Sequence, residues 1–266
     1  MMANKLPWQI FHILALVLVL VLNGLSNGKL IPGRSVGDIS DSYPTLFTPA
    51  GVTFAIWGVI YLFLIGFSIY QGRDMFSATK VDMPFLKQIG PWFLISCAAN
   101  SIWLFPWLYQ RPALALIMML VLFASLFVIY LQLEIGVMPV SRAEKWLVHA
   151  PFSMYLGWIT VATIANVSIT LVANEWSGFG LSPQTWATVM VSAAGVIGFG
   201  VALFRADMVF ALVIIWALFG IITARDADPV PANERIIWAA YLSIGLVALG
   251  AIIGTWRAEA GIGYVK

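Results

Sequence analysis

Charge is what this chain lacks. Of its 266 residues only 10% are charged, whereas 61% are hydrophobic. A soluble domain of this length needs far more charge on its exterior, so the composition excludes a water-soluble globule and places the chain in a bilayer. The formal net charge of +2 is too small and too scattered for nucleic-acid binding. Cysteine is equally scarce: Cys97 stands alone, which excludes an internal disulfide and a Cys-based zinc site. His12 and His149 lie in different apolar segments without an acidic or cysteine partner at ligand spacing, so both read as packed or interfacial histidines. Nor is there a carboxylate pair, a Ser/His/Asp set or a phosphate-binding loop within the apolar segments. No cofactor and no metal are expected, and an intramembrane enzyme is the least favoured class.

Long apolar runs are what the chain has instead. A bilayer core about 30 Å thick needs roughly 20 apolar residues in a helix. Eight segments qualify: Trp8–Leu25, Ala50–Tyr70, Gln88–Trp107, Pro112–Leu133, Lys145–Val172, Gln184–Phe204, Met208–Thr223 and Asn233–Trp256. The first follows Lys5, as a signal peptide would, but Asn23-Gly24-Leu25-Ser26 offers no small-residue cleavage site, so it is read as a helix. Arg205-Ala206-Asp207 is too polar for mid-membrane and predicts a tight hairpin between the sixth and seventh helices.

Local signals mark the starts. Ser141-Arg142-Ala143-Glu144 is a capping box, and Arg111-Pro112 and Ser182-Pro183 place proline at the first helical position. Thr48 is expected to cap the second helix ahead of Pro49, and Pro151 to kink the fifth. With eight crossings, nine Lys and Arg, Lys266 among them, fall on the side of the termini and five on the other. The positive-inside rule then puts both termini in the cytoplasm, in a membrane expected to be a bacterial cell membrane.

Polar and aromatic residues inside the spans form three stripes. Thr53, Trp57, Tyr61 and Leu64 share a face of the second helix. Ser96, Asn100, Trp103 and Trp107 share one on the third, and Pro151, Tyr155, Trp158, Ala162 and Asn166 one on the fifth. An amide in hydrocarbon is costly unless hydrogen-bonded, so Asn100 and Asn166 must face protein or a cavity. Two readings stay open: the stripes pack helix on helix, or they wall a pocket for a flat, largely apolar ligand. Most other indoles, including Trp107, Trp176 and Trp186, fall near span ends, where the headgroup interface suits them. Trp216 lies deeper and calls for another partner.

These stripes resemble the TspO/MBR family, the tryptophan-rich sensory and translocator (peripheral benzodiazepine receptor) proteins. The resemblance rests on Pro44, Pro49, Trp57 and Tyr61 in the second helix and its approach, on Asn100, Trp103 and Pro106 in the third, and on Tyr155, Trp158, Ala162 and Asn166 in the fifth. It implies a five-helix bundle over residues 1–172; the family pattern ends there, and residues 173–266 of this chain add about three further membrane helices that carry no recognisable motif. It also implies a pocket closed by the first loop that takes a porphyrin, a sterol-like lipid or an aromatic small molecule. The implied ligand-binding residues are Trp57, Tyr61, Asn100, Trp103, Tyr155, Trp158, Ala162 and Asn166, with Pro44, Leu46 and Phe47 in the lid loop. Two positions depart from the pattern: Leu46 stands where the family has a loop tryptophan, and Met154 rather than proline precedes Tyr155.

The expected protein is therefore an all-α, polytopic transmembrane bundle that binds or senses an apolar, ring-bearing ligand. Its expected partners are the bilayer and that hydrophobic small molecule, with a homodimer as an open assembly and no nucleic acid. A secondary transporter for a small hydrophobic solute is the alternative, with Gly195, Gly198, Gly200, Gly245, Gly250 and Gly254 serving either as pivots or as packing contacts.

Overall fold

The structure is a computed structural model that describes residues 5–31, 33–228 and 230–261. Among the described residues every regular element is helical. The long helices are α1 (Leu6–Asn27), α2 (Ile56–Gly72), α3 (Trp92–Leu108), α4 (Pro112–Gln132), α5 (Ala150–Ala173), α6 (Pro183–Arg205), α7 (Met208–Asp226) and α8 (Glu234–Glu259). Seven of them, taken with the short turns that lead into them, are long and apolar enough to cross a membrane. The shorter α3 has 17 residues and spans about 26 Å. The chain is an all-α, multi-pass integral membrane protein. Lys266, counted in the charge balance, lies outside the described residues.

The capping chemistry read from the sequence is in place. Ser141 Oγ accepts from the Glu144 N–H at 3.2 Å, and Ser182 Oγ from the Thr185 N–H at 3.2 Å. The hairpin at Arg205-Ala206-Asp207 turns on a left-handed Ala206 (φ 51°). Its other half is the Asp207 carboxylate, which accepts from the N–H groups of Val209 and Phe210, each at 3.1 Å, and so caps α7.

Two local expectations need correction, and a third takes a specific form. Thr48 does not cap the second helix; its hydroxyl pairs with that of Thr45. The chain enters through a 3-10 turn, Gly51–Ala55, and the Ala50 N–H at its start bonds the Gly220 carbonyl of α7 at 2.9 Å, so no side-chain cap is needed there. The third span is broken: a short helix, Phe85–Ile89, stops at Gly90 (φ 46°, ψ −136°), a conformation reserved for glycine, before Pro91 restarts the chain into α3. Pro151 distorts the fifth span by way of a π-turn, Lys145–His149, where the Ala150 N–H reaches back to the Lys145 carbonyl. The longer loop gives the proline ring room beside the preceding turn.

Contacts group the chain into two compact units, Met1–Val36 with Trp57–Leu156, and Gly37–Ile56 with Gly157–Lys266. In the first unit Phe67, Phe85, Phe93 and Phe152 are fully buried and meet mostly edge to face, with centroids 5.1 Å apart for Phe67–Phe152 and 5.6 Å for Phe93–Phe152. At the start of α1 a polar cluster closes this unit. His12 is buried with Nδ1 3.0 Å from Gln71 Oε1 and Nε2 3.1 Å from the Gly90 carbonyl oxygen.

Asp74, just past α2 and 2% exposed, pairs with the Lys5 ammonium. It also accepts from the Gln9 amide at 3.0 Å and the Val81 N–H at 2.7 Å. Burial works against its charge, but the hydrogen bonds from Lys5, Val81 and Gln9 outweigh that and hold the carboxyl well below the usual carboxylate range. A depressed folded-state pKa contributes stability that is complete above the unfolded value of about 3.9 and is lost as pH falls through the native value. Thermal unfolding in detergent is therefore expected to show the wild type losing more stability between pH 5 and strong acid than Asp74→Asn does. Parallel losses in the two proteins would refute the role given to Asp74.

In the second unit α6 packs closely on α8. A Cβ on Gly250 would lie 2.7 Å from the Phe199 ring, and one on Gly254 would lie 2.1 Å from the Ala202 carbonyl oxygen. The Gly250-x-x-x-Gly254 pair is thus a packing contact, while Gly200 and Gly245 face open space.

Candidate functional site

The first unit gathers four of the sequence-predicted ligand residues around one carboxamide. Asn100, at the middle of α3 and 1% exposed, donates through Nδ2 to the Tyr155 hydroxyl at 2.9 Å. Its Oδ1 accepts from Asn23 Nδ2 at 2.8 Å, and Asn23 also donates to the Val19 carbonyl at 2.9 Å. Trp57 stacks on Tyr61 (centroids 5.5 Å, 27° between planes) and meets Tyr155 edge-on at 5.8 Å. The Tyr61 hydroxyl is buried beside the Asn100 amide but forms no hydrogen bond of good geometry. Trp103 belongs to a different contact: it stacks on Trp107 at 5.2 Å, and Trp107 Nε1 donates to the Val36 carbonyl at 3.1 Å. Trp107, expected at the headgroup interface, is 4% exposed.

Asn23 was not singled out by sequence reasoning, which met it only in a failed cleavage motif. The signal was nevertheless the same as for Asn100, an amide within an apolar helix.

The remaining predicted residues lie in the second unit. Trp158 is 2% exposed and meets Phe54 edge-on at 5.8 Å. Asn166 is buried and donates to the carbonyl of Ala162, one turn earlier on its own helix, at 3.2 Å. Around Thr53 the approach to α2 is clasped by α7. Trp216 Nε1 donates to the Thr53 carbonyl at 3.0 Å, the partner that its depth in the span called for. Gly220 lies against the Thr53 side chain, where a Cβ would come within 2.1 Å of Oγ1.

The same unit holds a cavity of about 190 Å³. Pro44, Leu46 and Phe47, the expected lid residues, form one wall. The end of α5 supplies Ser168, Leu171 and Val172, the following loop Trp176, and the first turns of α6 Trp186 and Met190. Trp186 is held by a 2.8 Å hydrogen bond from Nε1 to the Gly178 carbonyl, and its ring centroid lies 5.0 Å from that of Trp176. Gly178 takes φ +66°, and an added Cβ would meet the Trp186 indole at 3.2 Å, so glycine keeps both the turn and the indole in place. None of the eight expected ligand-binding residues (Trp57, Tyr61, Asn100, Trp103, Tyr155, Trp158, Ala162 and Asn166) is among the lining residues of this cavity.

Over residues 9–253 the sequence matches the family described as TSPO-like protein. The chain belongs to that family. Comparison with curated proteins and with solved structures gives no significant match. The matched stretch of this TSPO-like chain takes in the amide cluster around Asn100, the lid residues and the cavity. It runs on through α6 and α7 and most of α8, well past residue 172. Among the described residues no three His, Cys, Asp or Glu side chains gather as metal ligands.

Proposed function

We propose that this TSPO-like membrane protein binds an apolar, ring-bearing small molecule, of the porphyrin, sterol-like or aromatic kind, and signals or assists its passage. The observation that carries the reading is the cavity itself, lined by Pro44, Leu46 and Phe47 and by the indoles of Trp176 and Trp186. Indoles offer flat, polarisable surface with a single polar handle, and in Trp186 that handle is already bonded to the protein. The faces left over suit a ring. The balance of nine basic residues against five supports termini on the cytoplasmic side of the membrane.

The test is equilibrium binding to purified protein in nanodiscs, read by intrinsic tryptophan quenching, with protoporphyrin, a sterol and a bicyclic aromatic as probes. At least one probe is expected to saturate. Leu46→Asp, which sets a carboxylate in the lid wall, is expected to weaken that probe by about tenfold or more, the cost of leaving an unpaired charge beside an apolar ligand. If none of the three saturates, the proposal fails.

A further inference from the structure

We infer that the cavity selects uncharged aromatic molecules of one or two fused rings, and that the chain beyond residue 172 supplies their principal contacts. This rests on the reading that the cavity is a ligand site, and narrows it on three observations.

The first is charge. None of the residues lining the cavity is Asp, Glu, Lys, Arg or His. A carboxylate or ammonium would shed its hydration there and find no counter-charge.

The second is size. An apolar cavity of about 150 Å³ admits benzene, whereas pockets for drug-sized ligands run from about 300 Å³ upward. At about 190 Å³ the site matches a substituted single ring or a fused pair, whereas a tetrapyrrole or a sterol would extend out through its open side.

The third is polarity. The Trp186 N–H is committed to Gly178, Thr45 shares its hydroxyl with Thr48, and Ser168 Oγ donates to the Ile164 carbonyl at 2.9 Å. Ser168 Oγ also lies 2.9 Å from the Met190 sulfur, so recognition falls to ring faces and apolar side chains, a lining that favours aromatic carbon. Trp176, Trp186 and Met190 all follow residue 172, which gives the last part of the chain a direct part in binding.

The experiment uses the full-length protein in nanodiscs with 1-naphthol as the uncharged probe, 1-naphthoate as its charged counterpart, and protoporphyrin and a sterol alongside. Two variants fill the cavity. Ala187→Phe does so from a buried position on α6, and Val172→Trp from the half-exposed rim, where added bulk does not threaten folding. The expected result is saturable 1-naphthol binding, weaker by about tenfold or more for 1-naphthoate and for each variant. Equal affinity for the two naphthalene probes overturns the inference, as does unchanged 1-naphthol affinity in Val172→Trp. If protoporphyrin or the sterol saturates while 1-naphthol does not, ligand binding stands and this narrower claim falls. If no probe saturates, both fall.

Discussion

Gly254→Val is expected to unfold the protein at markedly lower temperature or denaturant than the wild type, with Gly254→Ala intermediate. The ideal Cβ at this position would lie 2.1 Å from the Ala202 carbonyl oxygen, 3.1 Å from its carbonyl carbon and 3.2 Å from the Leu203 oxygen. These are backbone atoms of α6, so no rotamer change can relieve the overlap, and α6 and α8 must move apart. Overpacking costs about 1–3 kcal/mol, more where backbones must separate. Helix association in lipid depends on close van der Waals contact, because the acyl chains are as apolar as the side chains, so parting the helices recovers nothing in exchange. Gly245, on the same helix, has nothing within 4 Å of its ideal Cβ. Gly245→Val is thus the control that carries the helix-propensity difference without the clash. Unfolding in detergent followed by circular dichroism checks both, and equal midpoints for the two valine variants would remove Gly254 from the packing account.

The helices were legible in the sequence because the bilayer imposes one length on every apolar run, and several of their ends because Ser141 and Ser182 act through hydrogen bonds a few residues away. Whatever depends on a distant partner was not legible. Thr48 has the right chemistry for a cap, but its hydroxyl pairs with that of Thr45, and the Ala50 N–H two residues on is bonded to Gly220, far along the chain. The stripe on α3 correctly required Asn100 to face protein, and only the structure shows that Asn23 and Tyr155 meet it. Trp107, Trp176 and Trp186 share one kind of address, the end of a span, where a headgroup indole, a buried indole and a cavity wall look alike from sequence. The lid residues are the part of the expected site that lines the cavity, since loop prolines mark a constrained turn wherever its partners come from.

Asn100→Leu is expected to destabilise the protein by at least about 1–2 kcal/mol, the range for interhelical hydrogen bonds in membranes, with the strain of the larger leucine side chain at this buried position adding to it. The substitution takes an acceptor from Asn23 and a donor from Tyr155 at one stroke. Asn23 keeps its bond to the Val19 carbonyl, which holds the loss below that of a fully orphaned amide. Asn23→Leu removes the same link from the other end, so the double variant is expected to lose clearly less than the sum of the two single losses. Strict additivity in detergent unfolding would show that the two amides are not coupled. The same proteins decide what the cluster does. If Asn100→Leu lowers the affinity for a ring-bearing ligand while the Asn23→Leu background does not, Asn100 belongs to the binding surface with Trp57, Tyr61 and Tyr155. If affinity is unchanged in both, the three groups tie α1, α3 and α5 together, and the cavity lined by Leu46 and Phe47 carries the binding by itself.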